Sequence, residues 1–231
     1  MLGFERGVVV QPRVQGLDPS VTLNAIAQSD GRLKGVVRAD PRLDGSDIRK
    51  LHSAGIRGIR IELSKRQGGS YEEKTFSYLV SRAAEASWVV ALHLDPESIV
   101  KLEDVIRRMP TQVILENYIK IDARLGLDQP ALRVLLDLAK EHHVWIKAAS
   151  AYRMVWRGAT WDQIRPIARA VHAASPDRTI WGTDWPHPDC FVPGKMPNDG
   201  DLVDTLLDFV PDEEIRRKLL VDNPKRLFDF D

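Results

Sequence analysis

The stretch Thr179-Ile180-Trp181-Gly182-Thr183-Asp184-Trp185-Pro186-His187-Pro188 decides how the rest of the chain is read. It starts as a short apolar strand and ends in a proline-interrupted loop, which places Asp184 where the strand stops and solvent begins. In a parallel α/β barrel that edge is where chemistry is sited. Trp181 and Trp185 predict apolar walls beside the carboxylate, a setting in which carboxyl groups do acid–base work. His187 adds a second group able to titrate near neutrality. The alternative is structural: Asp184 caps the following turn and both tryptophans belong to the core.

The chain around this stretch has the size and composition of one enzyme-like domain, residues 1–231. At 231 residues and 26.1 kDa it can bury one large core. The 33 basic and 33 acidic residues cancel, so no net field draws the protein to nucleic acid or to an anionic membrane. No run approaches the roughly 20 apolar residues of a membrane span. Met1-Leu2-Gly3-Phe4-Glu5-Arg6 leads directly into a strand, without the pattern of a secretory leader. Cys190 is the only cysteine, which suits a reducing cytoplasm and gives a nucleophile no dedicated base. The expected partner is therefore a small molecule, and oligomeric state is left open.

Short β-branched runs recur with helical segments between them. Strands are predicted near Gly7-Gln11, Leu33-Arg38, Ile56-Glu62, Trp88-Leu94, Gln112-Glu116, Val144-Ala148 and Thr179-Thr183. Their spacing is that of successive strand-plus-helix units in a parallel sheet. The helices carry start signals of their own. Asp18-Pro19 and Asp95-Pro96 each offer a cap followed by proline. Ser70-Tyr71-Glu72-Glu73 and Thr160-Trp161-Asp162-Gln163 read as capping boxes, and Gly55 ends the helix that holds Leu51. Pro130 to His142 reads as an amphipathic helix. Helices follow at about Asp201-Phe209 and Asp212-Leu220, and Asp222-Asn223-Pro224-Lys225-Arg226-Leu227-Phe228 is placed to close the bottom of a barrel.

An open doubly wound sheet would announce itself by a glycine-rich turn after the first strand, but that strand ends Val10-Gln11-Pro12-Arg13. The expected fold is α/β, a (β/α)8 TIM-barrel-like sheet. Closure of such a barrel wants eight strands. Seven are predicted, so the N-terminal unit is expected to be the missing one, with a smaller barrel variant as the alternative.

Polar residues collect at the strand ends. Arg60 lies within the apolar run Gly55-Ile56-Arg57-Gly58-Ile59-Arg60-Ile61-Glu62, and a guanidinium there needs a carboxylate partner or an anionic ligand. Lys65 and Arg66 follow. His93 ends the fourth strand, as a core histidine or a functional one. Glu116-Asn117-Tyr118 ends the fifth, Lys147 lies in the sixth, and Ala151-Tyr152-Arg153 comes next. His52, His142, His143 and His172 lie on or at the end of helices and read as structural.

With these residues in view, the sequence resembles the amidohydrolase-related metal-dependent hydrolases, in the branch containing pyrone-dicarboxylate lactonase and sugar lactonases. The likeness runs through Val8-Val9-Val10-Gln11-Pro12, Arg32-Leu33-Lys34-Gly35-Val36-Val37, Gly55 to Arg60, Val144-Trp145-Ile146-Lys147, Pro176 to Pro188 and Leu220 to Pro224, and is most specific around Asp184. The resemblance implies an active site at the strand C-termini, with Asp184 as the base that activates water. It also implies that Arg60, Arg66 and Arg153 hold a substrate carboxylate or polarise its carbonyl. Asn117, His187 and His93 are further candidate substrate-binding residues by their positions at or after strand ends.

Two departures stand out. The His-x-His pair of the family's first strand is absent from this sequence. Where relatives show Asp-His-Met-Gly-Arg, this chain reads Glu116-Asn117-Tyr118-Ile119-Lys120. Only His93, Glu116, Asp184 and His187 remain as candidate metal ligands. The expectation is therefore a lactonase-like hydrolase that works without a cofactor, with a single divalent metal such as zinc as the alternative. Two rival functions are a metal-assisted decarboxylase of the same superfamily and an incomplete, inactive barrel that only binds small carboxylates. Substrate choice is assigned to the loops Asn117-Leu127 and Trp185-Asp199.

Overall fold

The structure is a computed structural model that describes residues 2–65 and 68–231. Among these residues seven parallel strands form one sheet in strict chain order: β1 (Gly7–Val10), β2 (Leu33–Arg38), β3 (Ile56–Glu62), β4 (Val89–His93), β5 (Val113–Leu115), β6 (Val144–Ala149) and β7 (Thr179–Gly182). Every strand falls within a residue or two of its predicted place. The sheet curls into a half-barrel whose edges are β1 and β7, the barrel-like α/β arrangement expected with seven strands.

Each strand is followed by at least one helix. These are α1 (Ser20–Ala27), α2 (Gly45–Ser53), α3 (Glu73–Glu85), α4 (Pro96–Arg107), α5 (Pro130–Leu138), α6 (Tyr152–Trp156), α7 (Trp161–Ala174), α8 (Asp199–Phe209), α9 (Glu213–Arg217) and α10 (Asn223–Phe228). The helices cover the convex face. There Ile59, Ile61, Val90, Leu92, Leu115 and Ile146 pack with Leu79, Ile99, Leu132 and Ile167 in the large core. The concave face is smaller and is filled by Val36, Val89, Ala91, Ile114, Trp145 and Ile180. Phe228 and Phe230 join that inner cluster, so the C-terminal helix closes the bottom of the half-barrel as its sequence position suggested.

Tight packing on the concave side explains one glycine. A Cβ at Gly58 would lie 2.4 Å from Val89 Cγ2 and 2.7 Å from the Val89 carbonyl oxygen, so only glycine lets β3 lie this close to β4. Gly55 turns the chain from α2 into β3 at φ +95°, as its place after the helix predicted.

The caps confirm the mechanism of helix initiation and move two of its residues. Thr160 and Gln163 form the reciprocal capping box of α7, and Asp95 caps α4 ahead of Pro96. At α3 the cap is Glu72, not Ser70, because the longer carboxylate reaches Lys74 N and Thr75 N. At α1 Asp18 accepts from Ser20 N at 2.9 Å while Pro19 holds the cap position. The predicted helix from Pro130 to His142 ends earlier, at Leu138, and the one from Asp212 to Leu220 passes into a π-helical turn over Lys218–Asp222.

Candidate functional site

Because side chains alternate across a strand, one set of strand-end residues faces the concave side. Arg60 and Glu62 on β3, His93 on β4, Glu116 just past β5 and Lys147 on β6 belong to this set, and Asp184 follows β7. Glu116 is the hub and is 1% exposed. Its Oε2 accepts from Arg60 Nε at 2.6 Å and lies 3.0 Å from His93 Nδ1, while Oε1 accepts from Lys147 Nζ. Burial would push this carboxyl up, but the charges of Arg60 and Lys147 outweigh it and hold Glu116 well below the ordinary carboxylate range. Arg60 is likewise opposed by burial, yet Glu116, with smaller contributions from Glu62 and Asp184, keeps it above its ordinary value. Burial is the largest influence on His93 and lowers it, so the ring is neutral at pH 7.

Asp184 sits beside this hub on a left-handed backbone, φ +65°, just before the cis bond between Trp185 and Pro186. Two donors from α6 hold it. Tyr152 Oη donates to Asp184 Oδ2 at 2.5 Å and Arg153 Nε donates to the same oxygen at 2.8 Å. Both bonds fall on Oδ2, and the side chain remains 19% exposed. Arg153 also donates through Nη2 to the Pro188 carbonyl at 2.6 Å, which ties α6 to the loop after β7. Its guanidinium lies over the rings of Tyr152 and Trp156. Burial and the neighbouring Asp184 carboxylate raise the Tyr152 hydroxyl, so it remains a proton donor to Asp184 across the neutral range.

The remaining predicted residues take distinct places. His187 is 3% exposed and packs edge-on against Tyr152, ring centroids 5.1 Å apart, so it stands behind the tyrosine. Its Nε2 lies 3.2 Å from Asp199 Oδ1, off the line of a hydrogen bond. Asn117 opens a turn in which Asn117, Tyr118, Ile119 and Lys120 all have positive φ, and its Oδ1 is buried without a partner among the described residues. Trp181 is half-buried and meets Phe4, but Trp185 is 72% exposed and provides no wall beside Asp184. Its place one residue past the left-handed Asp184 turns it outward. Arg66 lies outside the described residues. The roles of Glu116, Lys147 and Tyr152 were not read from the sequence. Glu116 was read only as a strand-end residue and candidate metal ligand, Lys147 only as a polar residue in a strand, and Tyr152 only as the neighbour of Arg153.

The family pattern described as Amidohydrolase matches residues 1–230. This chain belongs to the amidohydrolase family. Among curated proteins, a 4-sulfomuconolactone hydrolase of Rhizobium radiobacter is 38% identical over 228 residues, covering 98% of this chain and 76% of the relative. A 2-pyrone-4,6-dicarboxylate hydrolase of Comamonas testosteroni is 33% identical over 236 residues, covering 98% and 77%. Among solved structures, an apo protein of Agrobacterium tumefaciens superposes with a TM-score of 0.87 at 27% identity, covering 100% of this amidohydrolase and 82% of that chain.

The metal implied by the resemblance does not fit the donors of this amidohydrolase. Among the described residues no group of three His, Cys, Asp or Glu side chains is arranged to hold an ion. The reason is visible at Glu116, where a guanidinium and an ammonium already occupy the carboxylate and would repel a divalent cation. Asp184 is in turn engaged by Arg153.

Proposed function

We propose that this amidohydrolase is a lactonase that opens a small ring ester carrying carboxylate or sulfonate groups, and that it does so without a metal. Relatives at 38% and 33% identity, named for hydrolysis of a sulfonated lactone and of a pyrone dicarboxylate, support the substrate class. The observation that carries the reading is the asymmetry of Asp184, whose Oδ2 takes both protein donors while Oδ1 takes neither. Oδ1 removes a proton from a water molecule, and the hydroxide adds to the lactone carbonyl carbon. The tetrahedral intermediate collapses by breaking the ring C–O bond. The proton held by Asp184 passes to the departing oxygen, and the product is a ring-opened hydroxy acid or its keto tautomer. Arg60 supplies positive potential beside the developing oxyanion, and Arg153 aims Asp184. Asn117 and His93 complete the substrate-binding set, to which Arg66 is assigned by the family resemblance alone, and His187 supports Tyr152 from behind.

The test is turnover of 4-sulfomuconolactone and of 2-pyrone-4,6-dicarboxylate, followed by loss of ring absorbance, in the native chain and in Asp184→Asn. A variant that keeps its circular dichroism but loses at least about a thousandfold in kcat fits a general base that also orients the nucleophile. Unchanged turnover in Asp184→Asn would defeat the assignment.

A further inference from the structure

The strand ends hold several cations, and three of them are already bound to carboxylates. Arg60 and Lys147 share Glu116, and Arg153 is paired with Asp184. A multiply charged substrate therefore gains from a further cation that has no carboxylate bound to it. Lys120 supplies it. The left-handed turn from Asn117 to Lys120 follows β5, packs against β6 and α4, and is pinned by Tyr118 and Ile119, 2% and 0% exposed. It carries Lys120 across to the segment after β3, where Nζ donates to Ser64 Oγ at 2.9 Å over a sequence separation of 56 residues. Residues of αL conformation other than glycine cost about 1 kcal/mol or more each, and such strain is retained where a side chain must be placed.

Charged groups from several elements act on this amine. Glu62 and Arg60 come from β3, Asp95 from the cap of α4 and Arg157 from the segment after α6. His93 on β4 also senses the amine. Neither Glu62 nor Asp95 forms an ion pair with Lys120 among the described residues, and its only hydrogen bond there goes to a hydroxyl, which an anion can replace.

We infer that Lys120 is a specificity-determining residue, which holds the second anionic substituent of the substrate on the β3–β5 side of the mouth while the scissile ester faces Asp184. This assignment rests on the lactonase reading for the ester and on the paired-charge arrangement for the anion. Burial lowers the amine to about 8, with Glu62 partly offsetting it, so the cation is present at neutral pH and lost above that value.

The experiment separates the two readings by measuring binding as well as turnover. Isothermal titration with benzene-1,3-dicarboxylate and with benzoate gives the preference for a second carboxylate in the native chain, Lys120→Met and Lys120→Arg. The native protein should favour the dicarboxylate about tenfold at pH 7 and lose that preference at pH 9.5. Lys120→Met should lack the preference at both values, and Lys120→Arg should keep it at both. In turnover, Lys120→Met should raise KM for the dicarboxylate pyrone about tenfold with kcat within about twofold. A native-like preference in Lys120→Met, or a preference independent of pH in the native chain, overturns the inference. If Lys120→Met fails to fold, the pH dependence of Lys120→Arg against the native chain decides alone. If binding behaves as described and no lactone is opened, the anion site stands and the lactonase reading falls.

Discussion

Arg60 Nε and Glu116 Oε2 meet at 2.6 Å although 56 residues separate them, and Lys147 reaches the other oxygen of the same buried carboxylate. Glu116 is thus a counter-ion for two cations that could not remain buried alone. Glu116→Gln removes the charge and keeps the shape. Leaving two unpaired cations in a dry site costs about 3 kcal/mol, read as a lower urea midpoint at pH 7. The sign in acid follows from the depressed native value. The unfolded carboxyl binds its proton near 4.5, the folded one only well below it, so the stabilisation is whole above that range and is lost as pH falls through the native titration. The variant should lack this loss.

Tyr152 and Asp184 make a second test. Tyr152→Phe keeps the packing against Trp156 and His187 and removes one donor from Oδ2. A hydrogen bond to a charged group contributes about 1.5–3 kcal/mol, so kcat should fall about 10- to 100-fold with little change in KM. Steady-state kinetics decide, and a rise in KM alone would reassign Tyr152 to binding.

His172, on α7, is 3% exposed and neither ring nitrogen has a partner among the described residues. Burial holds it down at about 4, against 6.5 in the unfolded chain. Below 6.5 the unfolded chain gains a proton that the native state refuses until about 4, so stability falls as pH drops across that window, by about 3 kcal/mol. His172→Leu should abolish this part of the acid sensitivity and be at least as stable at pH 7, since it buries no unsatisfied nitrogen. Denaturant midpoints at pH 7 and 4.5 check it.

The positive charge around Glu116 also bears on metals. Dialysis against a chelator should leave turnover unchanged, and added zinc should not raise it, because a divalent ion would have to displace Arg60 or Lys147 from the carboxylate. A proportional loss and recovery of activity with bound zinc would contradict the proposed metal-free route.

The sequence by itself determined the seven strands, because buried parallel strands are continuous β-branched runs bounded by caps and glycines, signals carried by neighbouring residues. It also placed Asp184 at a strand end, since a strand, a polar residue and a proline in succession need no long-range information. Only the tertiary structure decided which charges meet. Glu116 with Arg60 and Lys147, Tyr152 with Asp184, and Lys120 with Ser64 are separated by 31 to 56 residues and come together because the parallel strands end on one side of the sheet, where α6 and the segments after β3, β5 and β7 also lie. The outward turn of Trp185 and the burial of His187 behind Tyr152 depend on a left-handed residue in the loop after β7. Apolar periodicity encodes a face of the sheet, but the partner of a charge is fixed by the register between strands distant in sequence.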